Sequence, residues 1–192
     1  LPAAGVEIEN LSESWLGFSL SGPKSREILA SLTTSEVSNS GLPFMGCASV
    51  DVAAMPAIVA RLSLTGELGY EINVRASQQH ALWQALMTAG TPLGMRPIGM
   101  RAQDSLRLEK GYGVWSLEFS TTCTPAMAGL ERFVAADKGD FIGREAFLAA
   151  RETGPEMKLV LLQVESPDAD ATGYEPIHHH DQRIGYVTSG AY

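Results

Sequence analysis

Apolar and polar positions along the first half of the chain alternate with strand and helix periods in turn. Strand-like stretches cover residues 15–20 (WLGFSL), 44–52 (FMGCASVDV), 56–64 (PAIVARLSL) and 70–74 (YEINV), the middle pair joined by a short turn. In YEINV, Tyr70, Ile72 and Val74 share one face, and Glu71 and Asn73 the other. Between the first two strands, SGPKSREILASLT (21–33) carries a helical stripe of Ile28, Leu29 and Leu32. Ser21 is placed as its N-cap and Pro23 in its first turn. A second helix, QQHALWQALMTAG (78–90), has Leu82, Ala85 and Leu86 on one face, Ser77 as cap and Gly90 as its end. A third spans 97–111 (PIGMRAQDSLRLEKG), with Ile98, Ala102, Ser105, Leu106 and Glu109 along one side. A fourth spans 141–154 (FIGREAFLAARETG), with Phe141 or Ile142 as a staple and Gly154-Pro155 as its stop. KLVLLQVES (158–166) and QRIGYVTSG (182–190) read as strands that pair with each other, and PDADATGYEP between them is rich in turn residues. The pattern predicts an α+β protein with mostly antiparallel strand neighbours. A boundary falls near 154–157, between a first domain (1–155) and the opening of an all-β unit (156–192).

Composition narrows the function classes. The chain has 192 residues, 45% of them hydrophobic, enough for a sizeable core. A net charge of −8 with 14 scattered basic residues argues against nucleic-acid binding, which needs clustered Lys and Arg. No apolar run is long enough to span a bilayer. The start has no basic region followed by an apolar stretch, so it does not read as a signal peptide, and its lack of an initiator Met suggests a cut piece. Cys47 and Cys123 stand far apart and form neither a disulfide framework nor a metal pair. That usage fits a reducing compartment, the cytoplasm or, in a eukaryote, the mitochondrial matrix.

Candidate chemistry is sparse by motif. There is no GxGxxG after a strand, no phosphate-binding GxxxxGK[ST], no HExxH and no GxSxG. His178 to His180 read as a surface turn before the last strand rather than a metal site, because no Cys or carboxylate stands at ligand spacing. Cys123 has no histidine nearby in sequence to activate it. No metal ligand and no catalytic residue is assigned. On the third helix, Arg101, Gln103, Asp104, Arg107 and Glu109 surround a partly apolar stripe. Asp104–Arg107 and Arg101–Ser105 are at pairing distance along a solvated face. For Glu71 two readings stand: a solvent-facing strand carboxylate, or a ligand pointing into a site. The residues alone reach an acidic α+β domain and stop there.

Five blocks together resemble the folate-binding aminomethyltransferase family, whose type member is the glycine-cleavage T-protein. They are TGELGYEI (65–72), GMRAQDSLRLEKGY (99–112), TPAMAGLERFV (124–134), DFIGREAF (140–147) and VTSGAY (187–192). SLRLEKGYGVW and GMRA look closer to the C-terminal folate domains of dimethylglycine and sarcosine dehydrogenases and oxidases. The resemblance implies a ferredoxin-like folate-binding core followed by the start of a Greek-key β-barrel. It also implies that the family's catalytic aspartate lies before Leu1 and the remaining barrel strands beyond Tyr192. Tetrahydrofolate is the implied cofactor, with FAD in a preceding domain. The implied donor is an N-methyl amine such as dimethylglycine or sarcosine. A stand-alone T-protein and a non-catalytic folate-binding or interaction module of the same fold are the alternatives.

The resemblance also implies site residues. Glu71 is the second carboxylate of the TGE-x-G-[YF]-E block, which contacts the pterin ring, while Glu67 orients the turn. Leu64 stands where T-proteins usually have Tyr, and Gln103 where they have a folate-contacting Arg. Arg101 lies two residues from Gln103. Tyr112 matches an aromatic position lining the site in some members, and Trp115 follows close behind, able to stack on a flat ring. The exposed apolar face expected on the C-terminal strands implies self-association.

Overall fold

The structure is a computed structural model that describes residues 5–191. The chain divides into two compact units, residues 1–103 and 104–192.

The first unit is built on a four-stranded antiparallel sheet. Its strands are β1 (Trp15–Ser21), β2 (Cys47–Val52), β3 (Met55–Ala60) and β4 (Gly69–Arg75), in the order β1-β4-β3-β2. Register fixes which residues share a face, because directly opposed residues point the same way. Phe18, Ile72, Val59 and Ala48 form one cross-strand row, and Leu16, Val74, Ala57 and Val50 the next. Helices α1 (Ser25–Ser31) and α2 (Gln79–Gly90) pack on this side of the sheet. Ile28 and Leu29 of α1 and Leu82 and Leu86 of α2 join the core with Leu20, Tyr70, Ile72 and Val74.

The strands fall where the pattern put them, apart from their ends. β2 begins at Cys47, three residues late, because the left-handed Met45 (φ 64°) and Gly46 bend the chain first. β3 stops at Ala60 rather than Leu64. The β2–β3 connection is Ala53-Ala54, both with positive φ (49° and 63°). That is the twist a two-residue hairpin needs, made here without the usual Asn or Gly. The Ala53 N–H donates to the Leu32 carbonyl at 2.6 Å, docking the hairpin on the end of α1.

Two helix starts differ from the expected caps. Ser21 is the last residue of β1, paired with Gly69, and α1 begins only at Ser25. The Gly22 N–H donates to Leu68 O (2.8 Å) and the Ser25 N–H to Gly22 O (3.0 Å), so a turn separates strand from helix. Ser77 lies inside a short 3-10 turn, Ala76–Gln78, which leads into α2.

Helix α3 (Met100–Glu109) spans the division between the units, and α4 (Arg144–Thr153) ends at Gly154 as expected. The expected strand over 158–166 is absent. Val160, Leu161, Leu162 and Val164 are exposed, and Leu159 makes a single backbone bond, donating to Met127 O at 2.7 Å. An extended apolar segment becomes a strand only when another strand satisfies its N–H and C=O groups. The last strand pairs instead with the residues just before it. β5 (Pro176–His179) and β6 (Gln182–Tyr186) form a hairpin turning at His180-Asp181. Among the described residues no helix is long and apolar enough to cross a membrane.

Candidate functional site

The first unit's sheet has a second face, turned away from its core. Glu71 stands at the centre of that face on β4, opposite Ser19 of β1 and Ala60 of β3, with Cys47 of β2 beyond Ala60. Tyr70 and Ile72, its neighbours in sequence, are fully buried on the core side, while Glu71 is exposed. Its cross-strand neighbours are small and leave the carboxylate uncovered. Among the described residues it has no hydrogen-bond or ion-pair partner. Asn73 and Arg75 continue along the same face. The Arg75 guanidinium sits 4.8 Å over the Trp15 ring, and four strand residues put it about 13 Å along from Glu71.

Two glycines shape this face by close approach. A Cβ on Gly17 would come within 2.3 Å of Asn73 Oδ1, so the Asn73 amide lies across Gly17. A Cβ on Gly69 would meet the Leu62 carbonyl at 2.6 Å and Ser21 Oγ at 3.1 Å. The turn before β4 is further tied to α1, since buried Ser25 donates through Oγ to Leu68 O at 2.9 Å. Glu67 is half-buried in that turn beside buried Thr65.

Of the helix residues, Arg101 is exposed and Gln103 half-buried on α3. Two helical positions are about 200° apart, so the two side chains leave opposite sides of the helix. Ile98, expected on the apolar stripe, precedes the helix and is exposed.

In the second unit, the sequence reading missed a buried charged cluster. Asp104 and Arg107 do pair (Nε to Oδ1, 2.9 Å), but not on a solvated face, because Arg107 is only 1% exposed. Its Nη1 donates to the Tyr112 carbonyl and its Nη2 to Ser189 Oγ, each at 2.9 Å. Ser189 in turn donates to Glu118 Oε1 at 2.6 Å, and the Val114 N–H donates to Glu118 Oε2 at 3.0 Å. Arg107 Nη1 lies 3.6 Å from the same Oε2. Burial pushes the Glu118 carboxyl up, but the Ser189 hydroxyl, the Val114 amide and the Thr188 hydroxyl together outweigh it. The group is held below the ordinary carboxylate value. The signals were present, since Glu118 is the one acid in GYGVWSLEFST and Ser189 sits in VTSGAY. Neither had an evident partner at short range.

Tyr112 and Trp115 lie in the turn this cluster holds. Tyr112 is 43% exposed and Trp115 83%. The turn closes through Phe119 N–H to Val114 O (3.1 Å) and Ser116 N–H to Phe119 O (3.2 Å), with Ser116 at φ 68°. The proposed contacts thus fall into separate groups: Glu71 on the sheet of the first unit, Arg101 and Gln103 on α3, and Tyr112 and Trp115 in one turn of the second unit.

Other features carry less chemistry. An apolar groove of about 330 Å³ beside α4 is lined by Pro125, Ala126, Val134, Phe141 and Phe147, with Thr124 its one polar side chain. Ligand sites usually add several convergent polar groups. His178 and His179 lie in β5, and the His179 and His180 rings are 4.3 Å apart. Among the described residues no group of three or more His, Cys, Asp or Glu could hold a metal ion.

Comparison with known proteins adds ancestry to this geometry. The family model of the GCVT N-terminal domain matches residues 1–138. The chain is 38% identical over 185 residues to an aminomethyltransferase of Thermoanaerobacter sp. (strain X514), covering 96% of this chain and 50% of that protein. It is 36% identical over 188 residues to the mitochondrial dimethylglycine dehydrogenase of Homo sapiens, covering 97% of this chain and 22% of that protein. Among solved structures it is similar to the glycine cleavage system aminomethyltransferase T from Bartonella henselae. That match has a TM-score of 0.73 at 26% identity, covering 93% of this chain and 48% of the other. The chain therefore spans about half the length of the aminomethyltransferases it matches.

Proposed function

The chain belongs to the GCVT family of aminomethyltransferase-type domains, and on that premise we propose that it is the tetrahydrofolate-binding part of a one-carbon transferase. The observation that carries the reading is Glu71, an exposed carboxylate at the centre of an open sheet face, without a hydrogen-bond or ion-pair partner among the described residues. A pterin's amide edge presents a ring N–H beside an exocyclic amino group. An ionised carboxylate accepts from both, and two near-parallel charge-assisted bonds fix the ring's orientation. Bound folate supplies the amine that takes up the one-carbon unit. The chain's residues hold the ring in place and keep water from it. In this reading Gln103 contributes a neutral hydrogen bond where relatives use Arg, Arg101 offers charge to the anionic tail, and Tyr112 and Trp115 offer flat faces for stacking.

The donor in this proposal is an N-methyl amine such as dimethylglycine or sarcosine, oxidised by an FAD domain outside this chain. Gln103 and SLRLEKGYGVW favour that branch over a stand-alone glycine-cleavage T-protein. The likeness to aminomethyltransferases over 96% of the chain supports the T-protein reading as the alternative. We assign the first 155 residues to a ferredoxin-like folate-binding core and the rest to the start of a Greek-key barrel. The proposed setting is the cytoplasm or the mitochondrial matrix, and the exposed apolar residues of 159–164 would support self-association.

Calorimetric titration of tetrahydrofolate into the chain, with p-aminobenzoylglutamate and a bare tetrahydropterin as part-ligands, tests the reading. Binding of tetrahydrofolate, competed more strongly by the pterin than by the tail, is the expected result. Absence of binding, or competition by the tail alone, overturns it.

A further inference from the structure

We propose that Arg107, Ser189 and Glu118 form a positioning device, a buried charged bridge that sets the 112–119 turn and thereby aims Tyr112 and Trp115. The ligand side of this inference rests on the folate reading above, while the hold on the turn stands on geometry alone.

Arg107 is the largest fully buried side chain among the described residues. Burying a guanidinium is costly unless its donors are met, and a buried ion pair is better evidence for fixed geometry than for stability. Its Nε donates to Asp104 on the same helix, and Nη1 and Nη2 reach the turn and the C-terminal segment. Arg107 grips the Tyr112 carbonyl, Glu118 grips the Val114 amide, and Ser189 bridges the two charges. Carbonyl and amide lie two residues apart, immediately before Trp115. Both ends of that short run are thus clamped by ionised groups, which make the stronger hydrogen bonds.

What the clamp presents is exposed. Trp115 is 83% and Tyr112 43% solvent-accessible. A turn stabilised for its own sake would bury a tryptophan, since exposing it forfeits its largest favourable contribution. Ser116 adds backbone strain at φ 68°, a conformation that persists where the surroundings over-determine it. Two aromatic faces on a strained, doubly clamped turn are pre-organised to meet a flat ring, so less ordering entropy is lost on binding.

The test uses the full chain with Trp15→Phe and Trp83→Phe, which leaves Trp115 as the single tryptophan. Time-resolved anisotropy of Trp115 and tetrahydrofolate affinity are measured for Glu118→Gln, Arg107→Lys and Ser189→Ala. Val59→Ala, in the core of the first unit, serves as a destabilised control. The clamp variants should gain a fast anisotropy component and bind folate roughly three- to tenfold more weakly, the worth of one aromatic stacking contact. The control should do neither. Folded variants with unchanged Trp115 motion overturn the proposal, as does freed motion with unchanged affinity. Loss of folding in all three variants overturns it too, because the bridge would then serve stability. If the unmodified chain binds no folate, the folate reading and the ligand half fall together, and anisotropy alone decides whether the bridge holds the turn.

Discussion

Replacing Arg107 with Met keeps the length and apolar stem of the side chain and removes its charge. In the structure this strips a partner from the Tyr112 carbonyl and from Ser189 Oγ, and it leaves the 5%-exposed Glu118 carboxylate without its counter-charge. Breaking one side of a buried pair costs about 3–5 kcal/mol, because the remaining charge stays desolvated. Asp104 contributes little to that figure, being 46% exposed and free to turn to water. The double variant Arg107→Met with Glu118→Leu should recover most of the loss, since replacing both partners by apolar groups is often near neutral. Urea unfolding followed by circular dichroism, with equal m-values as the check on comparability, gives both numbers. The reasoning is refuted if Arg107→Met unfolds within about 0.5 kcal/mol of wild type, the usual range for surface substitutions. It is equally refuted if the double variant is worse than the single one.

Two further predictions concern stability. Ala54→Gly relieves a left-handed alanine, which costs about 1–2 kcal/mol, against an unfolded-state penalty of about 0.4–1 kcal/mol; thermal unfolding should show a net gain of about 0.5–1 kcal/mol. Because the Glu118 carboxyl is held below its ordinary value in the folded chain, its contribution is complete above the unfolded pKa of about 4.3 and is lost as pH falls through the folded value. Glu118→Gln should therefore flatten the acid limb of the stability–pH curve below about pH 4.3, and an unchanged acid limb would remove Glu118 from the account.

The legible parts of the fold were those with local signals. Tyr70, Ile72 and Val74 alternate with Glu71 and Asn73, and β4 places them as that alternation requires. Leu82 and Leu86 at helical spacing marked the buried side of α2. What was not legible depended on partners far away in sequence. KLVLLQVES has a strand's composition, but among the described residues no strand pairs with it and its one backbone bond is from Leu159 to Met127, so it forms no strand and stays exposed. Ser21 has an N-cap's chemistry, yet pairing with Gly69 claims it for β1. The Ala53-Ala54 turn gave no Gly, Asn or Asp to announce it. Arg107 looked like one half of an i,i+3 surface pair; its burial depends on Glu118 and on Ser189, 82 residues away. For the candidate site, periodicity put Glu71 on the face away from the core, and only the family resemblance gave that face a ligand.

The most direct measurement is calorimetric titration of tetrahydrofolate into wild type, Glu71→Gln and Glu67→Gln, with circular dichroism to confirm folding. Glutamine at position 71 turns one acceptor oxygen into an N–H facing a donor. The account predicts a loss of about 2–3 kcal/mol, or roughly a hundredfold in affinity, with a much smaller effect at Glu67. A folded Glu71→Gln protein that binds tetrahydrofolate as tightly as wild type would contradict it, leaving Glu71 a solvent-facing strand residue.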